Sequence, residues 1–278
     1  MFKSRVMSAV ILVILIAVMN ISGGPLMGVM LLLIAEQGLF EFYRTTGVYK
    51  GSKEDRNILE KIGYSGTAVY FLAEMVIKNN SLLKLFLILC IVFVAMLAAY
   101  VLTFPEFDSE MIVKAFFGFM YVPVMLGFIY MTRSMRSGEY MVWMIYISSW
   151  ICDTCAYLVG VKLGKHRLAP ILSPKKSIEG AIGGIVGSAL FAILFSYIFR
   201  HAYNINGVKG VLPFVLIGAV GAVVSQIGDL AASAFKRNYD VKDYGTIIPG
   251  HGGILDRFDS VIFTAPMIYF LAILCLKL

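Results

Sequence analysis

Between Ser233 and Asp259 the sequence sets four cations, Lys236, Arg237, Lys242 and Arg257, among four carboxylates, Asp240, Asp243, Asp256 and Asp259. Through them runs the turn Pro249, Gly250, His251, Gly252 and Gly253. That mixture suits phosphate chemistry. Glycines let backbone N–H groups approach an anion, basic side chains hold phosphate oxygens, and carboxylates hold the divalent metal that phosphates bring with them. The surroundings are hydrocarbon: charged residues are 15% of the chain and hydrophobic ones 59%, with a mean hydropathy of +0.83. So dense a polar block in such a chain is a working surface.

Spacing adds further residues. Ser225, Gln226, Asp229, Ser233, Lys236 and Arg237 recur at intervals of three and four, one face of a helix. Polar groups turned to lipid are unfavourable, so that face points inward and Asp229 becomes a candidate metal ligand. Asp256 and Asp259, three apart, point the same way on a helix. Clustered carboxylates repel unless a cation sits among them, which favours magnesium over simple ion pairs with Arg237 and Arg257. Asp153 falls roughly 10 Å inside the end of an apolar span, where an aspartate costs about 2.5–3.5 kcal/mol on insertion scales. Ser149, Asp153, Ala156, Tyr157 and Gly160 are read as one polar-to-small helical stripe lining a wet cavity, the alternative being a buried structural hydrogen bond. Ser173, Pro174, Lys175, Lys176 and Ser177 precede a helix starting near Ile178. There Ser177 can cap, and the two lysines stand at a positive N-terminus, an anion site or a snorkelling cluster. His251 divides between phosphate binding and a structural hydrogen bond, while His166 and His201 read as loop residues.

These motifs resemble the signature of the phosphatidate cytidylyltransferases (CDP-diacylglycerol synthases). The match runs from Ser233 through Lys236, Arg237, Lys242, Asp243 and Gly245 to Pro249–Gly253, Asp256, Arg257 and Asp259. A second patch, from Asp153 through Gly164–Pro170 to Ser173–Gly180, is similar to the family's upstream motif. The resemblance covers roughly residues 140–278, and the first 135 residues carry only hydrophobic spans. It implies transfer of a cytidylyl group from CTP to phosphatidate, giving CDP-diacylglycerol and pyrophosphate for phospholipid synthesis. On that reading Asp229 and Asp256 hold Mg2+, with Asp153 and Asp259 as further ligands and room for a second cation. Asp229, Asp256, Lys176 and Arg257 are the catalytic candidates. Asp153, Ser173, Lys175, Lys176, Ser233, Lys236, Arg237, Lys242, Gly250, His251, Gly252 and Gly253 are the substrate-binding candidates. Implied partners are CTP, phosphatidate and membrane lipids, with a homodimer admissible and no nucleic acid. A CTP-dependent polyprenol or phytol kinase would use similar parts. A phosphate or nucleotide transporter would place its charges nearer the bilayer midplane. A CDP-alcohol phosphotransferase is disfavoured because its Asp-Gly-x2-Ala-Arg core is missing.

The elements that must position these residues are membrane spans. The fold class is all-α and polytopic, with apolar segments near 6–21, 26–40, 63–77, 85–103, 112–131, 140–160, 179–199, 211–231 and 258–276. The first is read as a retained span, because no Ala-x-Ala-like site follows it. With nine spans and the N-terminus inside, 17 of 24 basic residues fall on the cytoplasmic side, together with both motif loops; omitting 63–77 leaves 14 against 10. That places the active face on the cytoplasmic side of the cell membrane. Two regions follow, residues 1–138 without a motif and 139–278 with the signature. The net charge of +7 reports topology and anionic lipid or substrate first. Cys90, Cys152, Cys155 and Cys275 lie in apolar segments and read as small helix residues, not redox or zinc groups. Gly180, Gly183, Gly184 and Gly187 read as close helix packing. The stretch from Glu41 to Lys61 reads as a solvated, charge-balanced connector.

Overall fold

The computed structural model describes residues 2–49, 57–77, 81–199, 211–250 and 252–276. Among these the chain is helical apart from short connections, one short hairpin and the loop between residues 239 and 254. Every apolar segment expected from sequence is a helix. Among the described residues seven helical rods are long and apolar enough to cross a membrane: Gly24–Thr46, Ser81–Thr103, Ser109–Ser134, Gly138–Leu163, Ile178–Ile198, Leu212–Asn238 and Leu255–Leu276. The helices over segments 6–21 and 63–77 form as well. The described apolar part of the first is shorter, Met7–Ser22, and the second carries Glu60, Lys61 and Glu74.

The chain divides into two compact units. The first comprises Met1–Met131 and Tyr239–Arg257, the second Thr132–Asn238 and Phe258–Leu278. In the first unit, α1 (Phe2–Ser22), α2 (Gly24–Thr46), α3 (Ile58–Val76) and α4 (Ser81–Thr103) pack in succession, and α5 (Ser109–Phe119) packs against α2, α3 and α4. Helix α3 starts at a capping box: the Asn57 side chain accepts from the Glu60 amide, and the Glu60 side chain accepts from the Asn57 amide. Tyr43 is buried where three helices meet, its hydroxyl donating to the Ala115 carbonyl at 2.8 Å. Lys84 pairs with Glu74 at 3.3 Å, so the carboxylate within segment 63–77 is neutralised inside the protein. A π-helical turn, Met120–Val124, contains Pro123 and joins α5 to α6 (Met125–Ser134). Proline has no N–H for the ladder, and the wider turn accommodates the loss.

The second unit is built on α7 (Gly138–Tyr146), a second π-turn over Ile147–Ile151, and α8 (Cys152–Leu163), one continuous rod. Helix α9 (Ile178–Phe199) packs closely along α8, and α10 (Leu212–Asn238) packs on α9. The glycines of α9 make the contact possible. A Cβ on Gly184 would lie 2.8 Å from the Cys152 sulfur, and one on Gly187 would lie 2.5 Å from that of Cys155. The two cysteines are thiols filling a helix–helix seam, as their composition suggested. Between α8 and α9 the chain forms a β-hairpin, β1 (Arg167–Ala169) antiparallel to β2 (Ser173–Ser177), an addition to the all-α expectation. Helix α11 (Leu255–Leu276) starts in the first unit and continues through the second.

Candidate functional site

In the second unit the hairpin delivers the lysines. β2 carries Ser173, half-buried, Lys175, exposed, and Lys176, half-buried. β2 ends at Ser177, whose hydroxyl accepts the Gly180 amide at 3.1 Å and so caps α9. The hairpin is tied at its base by Glu179, which accepts from the amides of Lys165 (3.0 Å) and His166 (3.2 Å) and meets His166 Nδ1 at 2.6 Å. His166, read from sequence as a plain loop residue, is therefore half of this clamp. Lys176 forms an ion pair with Asp229 of α10, joining residues 53 apart in the chain.

Helix α10 runs unbroken to Asn238, so Asp229, Ser233 and Lys236 do share one helix. The stripe has two parts. Ser225 is fully buried, and Gln226 donates to the Ala181 carbonyl at 3.0 Å, a packing role. From Asp229 onward the side chains are accessible, and Arg237 is exposed. Asp259 of α11 lies within electrostatic reach of Asp229, Asp153 and Lys236. Asp259 thus lies near two further carboxylates and one ammonium group, and Asp229 carries a second ammonium group as its ion-pair partner. Among the described residues no group of three or more His, Cys, Asp or Glu side chains is drawn together tightly enough to hold an ion.

The stripe expected along α8 needs correction. Ser149 is completely buried, its hydroxyl donating to the Ile145 carbonyl at 2.8 Å, whereas Asp153 is exposed and Tyr157 is 70% exposed. Ser149 lies within the π-turn over Ile147–Ile151, which shifts the register that a regular helix would keep.

In the first unit the signature loop leaves α10 through Tyr239 and reaches α11 through a tight reversal. The Ile248 amide donates to the Gly252 carbonyl at 2.9 Å, with Gly250 at φ 76° and Gly252 at φ 83°. Both need the left-handed region, which glycine enters without strain. Lys242 and Asp243 are exposed, and His251 lies outside the described residues. Asp256 is only 5% exposed, its Oδ2 accepting from the Tyr244 amide (2.8 Å) and the Gly253 amide (2.9 Å). Gly253 therefore gives its N–H to a carboxylate within the loop itself. The Nε of Arg257 is buried and meets no hydrogen-bond partner among the described residues.

Sequence reasoning missed Glu41. It is not part of a solvated connector. Helix α2 continues to Thr46, Glu41 is 1% exposed, and Glu60 is buried in its capping box. Glu41 Oε1 and Oε2 accept from the amides of Ile254 (3.0 Å) and Leu255 (2.8 Å) at the start of α11. Its i, i+4 partner Gln37 and the next basic residue, Arg44, were the available signals of a helix running on past residue 40.

A model of the cytidylyltransferase family matches residues 3–275, a range that takes in the helices for which no motif was evident. A phosphatidate cytidylyltransferase of Staphylococcus haemolyticus is 36% identical over 148 residues, covering 53% of this chain and 55% of the relative. One from Staphylococcus aureus is 37% identical over 155 residues, covering 55% and 56%. The chain thus spans about half the length of these curated relatives. With the family match extending over nearly all of its helices and the signature residues gathered at helix ends and hairpin, the chain belongs to the cytidylyltransferase family.

Proposed function

We propose that this protein transfers a cytidylyl group from CTP to phosphatidate at the cytoplasmic face of a cell membrane, releasing pyrophosphate. The observation that carries the reading is the electrostatic grouping of Asp153, Asp229 and Asp259 with Lys236, and of Asp229 with Lys176, in a family member. A lipid phosphate monoester has its second pKa at about 6 and is mostly dianionic at neutral pH, so no strong general base is needed. The barrier is the approach of two polyanions. Lys176 and Lys236 lower it by screening and by fixing the triphosphate. Arg257, with a buried donor to offer, and Lys175, Arg237 and Lys242 serve phosphate oxygens of either substrate.

A lipid phosphate oxygen forms a bond to the α-phosphorus of CTP as the bond from that phosphorus to the α–β bridging oxygen breaks. Pyrophosphate leaves with the electron pair. The donor set of the second unit, all hard carboxylate oxygens, fits magnesium. Asp229, with Asp259 within electrostatic reach of it, would hold it, the remaining ligands coming from substrate phosphates and water. When bound, it would neutralise charge building on the phosphate oxygens.

The position of a label decides the reaction. With membranes, phosphatidate and CTP, label from the α-phosphate is expected in the lipid and label from the γ-phosphate in pyrophosphate. Entry of γ-label into lipid with release of CDP would establish a kinase instead. Uptake of intact nucleotide with no lipid labelled would establish a transporter.

A further inference from the structure

Carboxylates and residues of the N-terminal helices hold both ends of the signature loop within the first unit. Ser8 of α1 donates to the Pro249 carbonyl at 3.2 Å, and Arg44 of α2 donates to the Tyr244 carbonyl at 2.6 Å. Glu41 takes the Ile254 and Leu255 amides, and Asp256 takes those of Tyr244 and Gly253. The amides of Ile254 and Leu255, where α11 starts, are thus already satisfied by a carboxylate. Gln37 steadies Glu41 with a 3.2 Å bond to Oε1. The glycines of the signature follow from the same contact: a Cβ on Gly245 would lie 2.6 Å from Glu41 Oε1, and one on Gly253 would overlap the carboxylate itself.

A buried carboxylate is costly unless fully hydrogen-bonded. Among the described residues no cation pairs with Glu41, so backbone amides and the positive end of α11 stabilise it. We propose that Glu41 is a positioning residue: it acts as a built-in anion at the N-terminus of α11, setting the positions of Gly245 and Gly253–Leu255 and the orientation of Asp256. The N-terminal helices, which carry no motif, are then the part of the enzyme that holds the motif in place. The kinetic part of this proposal rests on the transferase reading, and its structural part does not.

The test uses the full-length protein in lipid nanodiscs, comparing wild type, Glu41→Gln, Glu41→Asp and, as a matched buried carboxylate of the same unit, Glu74→Gln. Amide exchange is read on peptides covering residues 252–258, and steady-state rates with CTP and phosphatidate. Glu41→Gln presents an N–H₂ where an acceptor is needed, and is expected to speed exchange of these amides at least about tenfold. It should lower kcat at least about tenfold while the KM for CTP stays within about twofold. Glu41→Asp, retaining the charge on a shorter stem, should recover part of both, and it stands in if Glu41→Gln fails to insert. Glu74→Gln should change neither. Unaltered exchange or unaltered kcat in the Glu41 variants overturns the proposal, and so does an equal effect from Glu74→Gln, which would mean general loosening. If wild type makes no CDP-lipid, the transferase reading fails, while the exchange data still decide the role of Glu41.

Discussion

Lys176 and Asp229 form an ion pair between two different elements. Their side chains are 28% and 26% exposed, so the pair adds little to stability, typically under about 1 kcal/mol for such accessible groups. Its value is in placing a cation and a carboxylate together on two different elements. Asp229→Asn should therefore leave the protein folded, with a thermal midpoint within a few degrees of wild type. Turnover should fall at least about a hundredfold, and excess EDTA should do the same to the unaltered protein. Substantial activity in either case would remove the metal role. Asp229 was legible because it recurs with Gln226, Ser233 and Lys236 at helical spacing. Glu41 was not, because its partners are backbone amides 213 and 214 residues away, and an amide leaves no mark in a sequence.

At the scale of elements, close packing of α8 on α9 sets where Asp153 and the hairpin stand. Gly187 allows it, since any side chain there meets Cys155. Gly187→Leu should force the helices apart, at a cost of about 1–3 kcal/mol for overpacking, and lower the thermal midpoint by several degrees. Gly187→Ala should do so less. A leucine variant as stable as wild type would show that the seam is loose. The glycine spacing announced this contact in advance. The two π-turns were not announced: hydropathy at a period of 3.6 passes smoothly through Met120–Val124 and Ile147–Ile151, and only the hydrogen-bond ladder registers the extra residue. Ser149 was assigned to the wrong face for that reason.

At the scale of the whole chain, the arrangement of basic residues makes the sharpest statement. If 17 of 24 mark the cytoplasmic side, the exposed Lys242 lies there. With Cys90, Cys152, Cys155 and Cys275 replaced by alanine, a single cysteine introduced by Lys242→Cys should react with an impermeant thiol reagent in inside-out vesicles alone. Labelling in intact cells would refute both the nine-span count and access of CTP to the loop. Seven rods are long and apolar enough to span on their own account. Crossing by both α1 and α3, or by neither, puts Lys242 on the same side, so labelling in intact cells would mean that just one of them crosses or that the N-terminus lies outside.

Amino-acid types and their spacing determined that this is a helical membrane protein, where most helices lie and which family the chain belongs to. Those properties come from local periodicity and from side chains whose chemistry can be read one at a time. Tertiary structure alone decided that Lys176 meets Asp229, that Asp256 and Glu41 bind backbone amides at the start of α11, and that Gly253 is small because a carboxylate lies against it. Such contacts join residues far apart in the chain, and they involve backbone groups that every residue shares. No local pattern of hydropathy or charge distinguishes them until the helices have packed.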